Sequence, residues 1–300
     1  MEKPFSQMSE VEKDYLFDLR GYHIIDNALS SAQLEWINAW IDLQPRDLPM
    51  GAWLGNVETH TYGHQDGVNY QNIVEGGPVF EQLIDNPVWI EMVRRYICND
   101  ANRLSLNEAF LNIRGEGGFI GIHSGGHTPY FPLAFRHHTG RWNVGQINVL
   151  MALQDVGPGD GCTVVVPGSH KSHEVHPGLA DESDSARANT VYRKDKPDET
   201  LGAVEVRLKA GQALMFTDGL LHGGSSRTNP GERRILIYRY SPHCMAPRYN
   251  YIPSEGLLER LNPDARKIVQ AIPARIAPGR RFENAEAEAL PMQTPELAAV

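Results

Sequence analysis

At 300 residues the chain is long enough for one large domain or two small ones, and its 41% apolar content is that of a protein with a full core. A formal net charge of −9 speaks against a nucleic-acid surface and against binding to anionic membranes. Three scattered cysteines, Cys98, Cys162 and Cys244, suit a reducing compartment better than a disulfide framework. With no apolar leader core and no run near ~18 apolar residues, the expectation is a cytoplasmic protein.

In chain order, Ser9 with Glu12 three residues on makes a capping box and predicts a helix to about Arg20, ended by Gly21. Tyr22-His23-Ile24-Ile25 reads as a short strand. Ser30 opens a second helix with Leu34, Ile37 and Ile41 on one face, and Pro45 ends it. Residues 44–77, rich in Gly, Asn, Pro and aromatics, read as a long surface loop. Pro78 suits the first position of a third helix, 79–98, kinked or split at Pro87. From Leu104 the alternation changes to period two, through Ala109-Phe110-Leu111-Asn112-Ile113.

A polar, His-rich insertion over 123–142 precedes an apolar strand at 147–153, and a charged insertion over 172–201 reads as a flap. Between and after them come short β-branched runs broken by Gly/Pro turns, one leading into His222 and the next opened by Arg233. This pattern predicts a β-barrel with a metal site in its mouth. The expected architecture is mainly β with flanking helices in a single domain. An N-terminal helical layer (1–103) would precede a barrel core (104–245), a C-terminal helical segment (246–282) and a disordered tail (283–300).

Three features carry a resemblance: Pro167-Gly168-Ser169-His170-Lys171, Gly211-Gln212-Ala213-Leu214, and His222 followed eleven positions on by Arg233. Together they resemble the phytanoyl-CoA dioxygenase family from Gly21-Tyr22 to Tyr240. These are iron(II)/2-oxoglutarate oxygenases on a double-stranded β-helix, the jelly-roll of cupin-like proteins. The resemblance implies a His-x-Asp/Glu…His iron site, an arginine for the 2-oxoglutarate carboxylate, O2 as oxidant and a small organic molecule as substrate. In such a site two imidazoles and a carboxylate fill one face of an octahedral metal and leave the other open.

His222 is the expected distal ligand; the bland reading is a structural histidine at a strand end. Arg233 and Arg234 alternate on a strand, so one faces inward; spacing favours Arg233, with Arg234 as the fallback. For the proximal ligand, His64-Gln65-Asp66 is a literal His-x-Asp but lies before the third helix. His123 follows an apolar strand, stands where the family's first ligand belongs, and is favoured. The carboxylate position two residues on is then Gly125. Three readings stay open. Gly125 can mark a halide position for chloride or bromide, as in halogenases of this chemistry. A third ligand can come from His127, from an insertion carboxylate or from Asp66. Or the site is degenerate and the barrel binds a ligand without catalysis.

Asn112, Arg114, Gln146 and Asn148 lie on expected barrel strands, where alternation can aim them at the co-substrate. His137-His138 reads as a solvated loop pair, His170 as a rim or structural residue, and His173 and His176 as surface. Trp53, Tyr62, Tyr130, Phe131 and Phe135 are candidates for the substrate cleft, although aromatics on long loops more often pack those loops down.

Overall fold

The computed structural model describes residues 3–45, 47–63, 65–97, 103–123, 135–138, 140–174, 176–177, 197–245, 249 and 251–270. The expected disordered tail, most of the flap, Gly125, His127, His64, Tyr130 and Phe131 lie outside these residues.

The first helices form where their local signals place them. Helix α1 (Glu10–Arg20) starts at the reciprocal Ser9–Glu12 capping box and stops at Gly21, whose φ of 85° only glycine adopts without strain. Strand β1 (Tyr22–Ile25) follows, then α2 (Ser31–Leu43), which is capped by Ser30 and buries Ile37 and Ile41 completely. The third helix is split as Pro87 predicts, into α3 (Pro78–Glu81) and α4 (Ile90–Ile97). Helices α5 (Glu255–Arg260) and α6 (Pro263–Val269) close the C-terminal segment.

The stretch 44–77 is not a plain loop. It contributes β2 (Trp53–Leu54), β3 (Val57–His60) and β4 (Val68–Gln71), which extend the main sheet outward. Runs this short and this polar carry no alternation of their own. They become strands because β4 finds the open edge of β5 (Leu104–Arg114), with Asn69 opposite Asn112. Inside the insertion at 123–142, residues His137–His138 (β7) and Arg141–Trp142 (β8) form a small hairpin.

The remaining strands are β6 (Ile120–His123), β9 (Ile147–Ala152), β10 (Thr163–Val165), β11 (Val204–Val206), β12 (Ala213–Thr217), β13 (His222–Gly224) and β14 (Arg233–Pro242). They make an eight-stranded antiparallel sheet, β1-β12-β9-β14-β5-β4-β3-β2, and a four-stranded sheet, β11-β10-β13-β6. Residues Met1–Gln270 form one compact unit.

Strands β5 and β14 are buried almost throughout, because the large sheet is covered on both faces. Leu111, Leu236, Tyr238 and Tyr240 face the helices and join the main apolar core. Phe110, Ile235 and Ile237 face the second sheet and join a separate core between the sheets. The helix side is also pinned by polar contacts. Tyr238 Oη donates to Phe80 O (2.7 Å), and Trp89 Nε1 donates to Tyr240 Oη (3.1 Å).

Candidate metal and co-substrate site

Two strands of the small sheet bring the paired histidines together. β13 and β6 run antiparallel with His222 directly opposite His123, next to a register shift between His222 and Gly224. The ring centroids are 4.1 Å apart and tilted by 55°. Each ring is oriented by a carbonyl two residues back on its own segment: His123 Nδ1 to Gly121 O (2.8 Å) and His222 Nδ1 to Leu220 O (2.7 Å). A carbonyl only accepts, so Nδ1 carries a proton in both rings, and Nε2 is the nitrogen left to ligate. Burial, and then the neighbouring His222, push the His123 imidazolium pKa down to about 3, which keeps the ring neutral at ordinary pH. Two imidazoles, each held through Nδ1 by a main-chain acceptor, are the kind of donor pair a divalent transition metal takes.

These rings open on a cavity between the two sheets. Its inner wall is set by the period of two along β14 and its partner β5. Arg233 is opposite Arg114, Ile235 opposite Asn112, Ile237 opposite Phe110, and Arg239 opposite Glu108. One end of the cavity is therefore doubly basic. Arg233 is 3% exposed and Arg114 fully buried, and both line the space that His123 and His222 line. Arg233 Nη1 donates to Gly161 O, while its Nε has no partner. Among the described residues all three guanidinium nitrogens of Arg114 lack one.

Burial, only partly opposed by the charge of Asp66, pushes the Arg114 pKa down to about 10. Burial, and then Arg114, push that of Arg233 far down. Asp66 lines the cavity too, and burial raises its carboxyl pKa against the pull of Arg114. Asn112 lines the same wall and holds the Asp66 loop by donating to Asp66 O (2.9 Å) and Asn69 Oδ1 (2.8 Å). At the other end Glu108 accepts from Tyr62 Oη, from Gln71 Nε2 (2.9 Å) and from Arg239 Nη1 (2.5 Å).

Several expected site residues stand elsewhere. Arg234 points away from the cavity, to Asn38 and Asp42 of α2 (3.0 and 2.5 Å) and to Glu232, because the alternation that turns Arg233 inward turns its neighbour outward. Gln146 and Asn148 do not line the cavity: both donate to Asp218 Oδ1 (3.0 and 2.8 Å) and so brace the turn that delivers His222. His170 is buried against Phe135 and bonds Asp18 O through Nε2 (3.0 Å), which ties the Pro-Gly-Ser-His turn to the end of α1. His137 and His138 are exposed, as is His173. Of the described cleft aromatics Tyr62 lines the cavity, whereas Trp53 packs on Tyr251 and Phe135 on Trp142.

Arg239, and the pairing of Arg114 with Arg233, escaped the sequence reading. Counting inward by twos from Arg233 along β14 would have found Arg239; Arg114 needed the register of β5. Among the described residues, no third His, Cys, Asp or Glu completes a metal-binding cluster with the two imidazoles.

Two antiparallel sheets closed on a shared interior, with the histidine pair on the small sheet and the arginines on the large one, make this a jelly-roll protein of the double-stranded β-helix class. The chain belongs to the phytanoyl-CoA dioxygenase family, whose profile matches residues 17–235. That family uses iron(II) and 2-oxoglutarate. Among curated proteins the chain is similar to dioxygenase cdmD of Talaromyces verruculosus, 28% identical over 125 residues, and to dioxygenase trt7 of Aspergillus terreus, 27% over 131. Each match covers 41% of this chain but only 35% and 37% of those relatives.

Among solved structures it is similar to HygX of Streptomyces hygroscopicus with nickel and 2-oxoglutarate bound. The TM-score is 0.65 at 19% identity, over 88% of this chain and 96% of that one. It is also similar to the non-heme alpha-ketoglutarate-dependent epimerase SnoN (TM-score 0.52, 16% identity, 87% of this chain and 94% of that one). At these identities the likeness speaks for the fold. No helix among the described residues is long and apolar enough to cross a membrane.

Proposed function

We propose that this protein is an iron(II)/2-oxoglutarate-dependent oxidoreductase that functionalises a C–H bond of a small organic molecule. His123 and His222 hold the iron, and Arg233 holds the co-substrate's far carboxylate. The observation that carries this reading is the facing pair of imidazoles in one cavity with buried, under-bonded arginines. A cavity with that donor set fits both a divalent metal and a carboxylate. When bound, the iron and 2-oxoglutarate supply the oxidising power; the chain's own residues supply position and exclusion of water. The Nδ1 carbonyl contacts fix both ligand rings, the Asp218 network steadies the turn before His222, and Phe110, Leu150, Phe216 and Ile237 keep the interior apolar. HygX, with hygromycin B in one of its structures, supports a small molecule as substrate here.

Anaerobic loading with iron(II), followed by 2-oxoglutarate and air, should give succinate, and a panel of small molecules should raise its yield. No iron binding and no succinate would leave the rival, a ligand-binding barrel without catalysis.

A second reading, halogenation, is favoured by His123-Ser124-Gly125, where the motif has no side chain to complete the metal's carboxylate position. It predicts tighter 2-oxoglutarate binding in chloride or bromide and a halogenated product. Gly125→Asp should abolish the halogenated product; its persistence would exclude Gly125 from the halide position. A hydroxylated product that is indifferent to halide points to hydroxylation by the same cavity.

A further inference from the structure

The basic end of the cavity contains one guanidinium more than a single family arginine explains. Arg114 and Arg233 sit directly opposite each other across β5 and β14 and face the same way. Like charges placed so repel, and directly opposite strand residues are only ~5 Å apart. Both are buried, in a protein whose overall charge is −9. A cation taken out of water normally acquires a carboxylate or a set of acceptors. Among the described residues Arg233 has one carbonyl, and Arg114 has no hydrogen-bond acceptor for any nitrogen. Asp66 lies near enough to be felt by Arg114 but accepts no hydrogen bond from it.

The backbone around Arg114 is cut to fit it. A Cβ on Gly224 of β13 would stand 2.5 Å from Arg114 Nη1, and one on Gly118 would stand 2.5 Å from Arg114 Cγ. Gly224 itself lines the cavity, two residues after His222. The side chain is thus lodged between two glycines, its stem against Gly118 and its guanidinium against Gly224, with its donors left for something that enters the cavity.

We infer that Arg114 is a second carboxylate-binding residue, and that the far carboxylate of the 2-oxo acid co-substrate lies between Arg114 and Arg233, accepting from both. Gly224 acts as the spacer that leaves room for this pair. The inference rests on the function proposed above and adds to it that recognition of the distal carboxylate is shared by two strands. One carboxylate between the guanidiniums removes their repulsion and supplies the missing acceptors, so the chain favours a 2-oxo diacid over a 2-oxo monoacid.

The test is anaerobic calorimetry on the full iron(II)-loaded chain, comparing 2-oxoglutarate with 2-oxovalerate, which has a methyl group in place of the far carboxylate. The wild type should bind 2-oxoglutarate much more tightly. In Arg114→Met, 2-oxoglutarate should weaken about 10- to 100-fold, the range for losing hydrogen bonds to a charged group. Binding of 2-oxovalerate should stay as it was, and Arg114→Lys should fall between. If Arg114→Met does not fold, Gly224→Ala carries the test: it keeps both arginines but displaces one, and should reduce the same discrimination while iron binding persists. Discrimination equal to wild type in the folded variant overturns the role of Arg114 and leaves the proposed function standing. A wild-type chain that binds iron but not 2-oxoglutarate overturns the proposed function, and this inference with it.

Discussion

The two faces of β14 follow opposite rules. Toward the helices, Leu236, Tyr238 and Tyr240 are fully buried, and the two phenols are hydrogen-bonded. Toward the cavity, buried Arg233 and half-buried Arg239 have Nε atoms without a partner among the described residues, although Arg239 pairs with Glu108, and Arg114 opposite Arg233 is more deprived still. A strand built for stability alone would satisfy both faces. Here the helix face supplies the stability and the cavity face carries charges that are costly until something binds.

Substitutions should separate the faces. His222→Ala removes one of two imidazoles and should lower iron affinity more than the ~10–100-fold seen for residues that merely support a ligand, with succinate production abolished. Metal analysis after gel filtration measures it, and an unchanged folded fraction confirms that the loss belongs to the cavity. On the other face, Trp89→Ala should lower unfolding stability by about 3–5 kcal/mol in a denaturant titration, since Trp89 is fully buried and bonded to Tyr240. Its affinity for 2-oxoglutarate, measured below the unfolding transition, should stay as in the wild type. A large change in that affinity would break the division between the faces.

Arg233→Leu should be the converse. Co-substrate affinity falls about 10- to 100-fold, while unfolding stability stays level or rises as a buried charge is removed. A stability loss as large as that of Trp89→Ala would show that Arg233 is structural.

The last variant concerns acid. His23 on β1 is fully buried between Phe5 and Phe17, and burial, followed by Arg20, pushes its pKa from an ordinary 6.5 down to about 3. The unfolded chain therefore binds the proton first. Stability is intact above pH ~6.5 and is lost as the pH falls from there toward ~3, by about 2 kcal/mol at pH 5. His23→Leu should flatten that slope between pH 7.5 and 5; an unchanged slope assigns the acid sensitivity to other groups.

Legibility followed the range of the interaction. Ser9 with Glu12, Gly21, and the proline pair Pro78 and Pro87 act within a turn or two of chain, and each marks an element boundary found in the fold. The His222–Arg233 spacing was also readable, because one tight connection joins β13 to β14. The strands within 44–77 were not, since they exist only by pairing onto β5. The most specific motif, Pro167 to Lys171, serves the fold, the structural of the two readings of His170. Its histidine is not at the cavity but clamps the end of α1, where a Cβ on Gly21 would stand 2.6 Å from the ring. Gln146 and Asn148 have the right parity for a barrel interior, yet Asp218, seventy-two and seventy positions away, takes their amides.

By itself, the sequence marked the helix boundaries, because capping signals are local, and through the family resemblance it gave the jelly-roll class and the candidates His123, His222 and Arg233. Only the tertiary structure decided which arginine turns inward and which is tied to α2. It alone placed Arg114 opposite Arg233 and left both short of hydrogen-bond acceptors among the described residues. Strand register is set by packing across the whole sheet, and no local rule reveals which residues from distant segments will share one buried space.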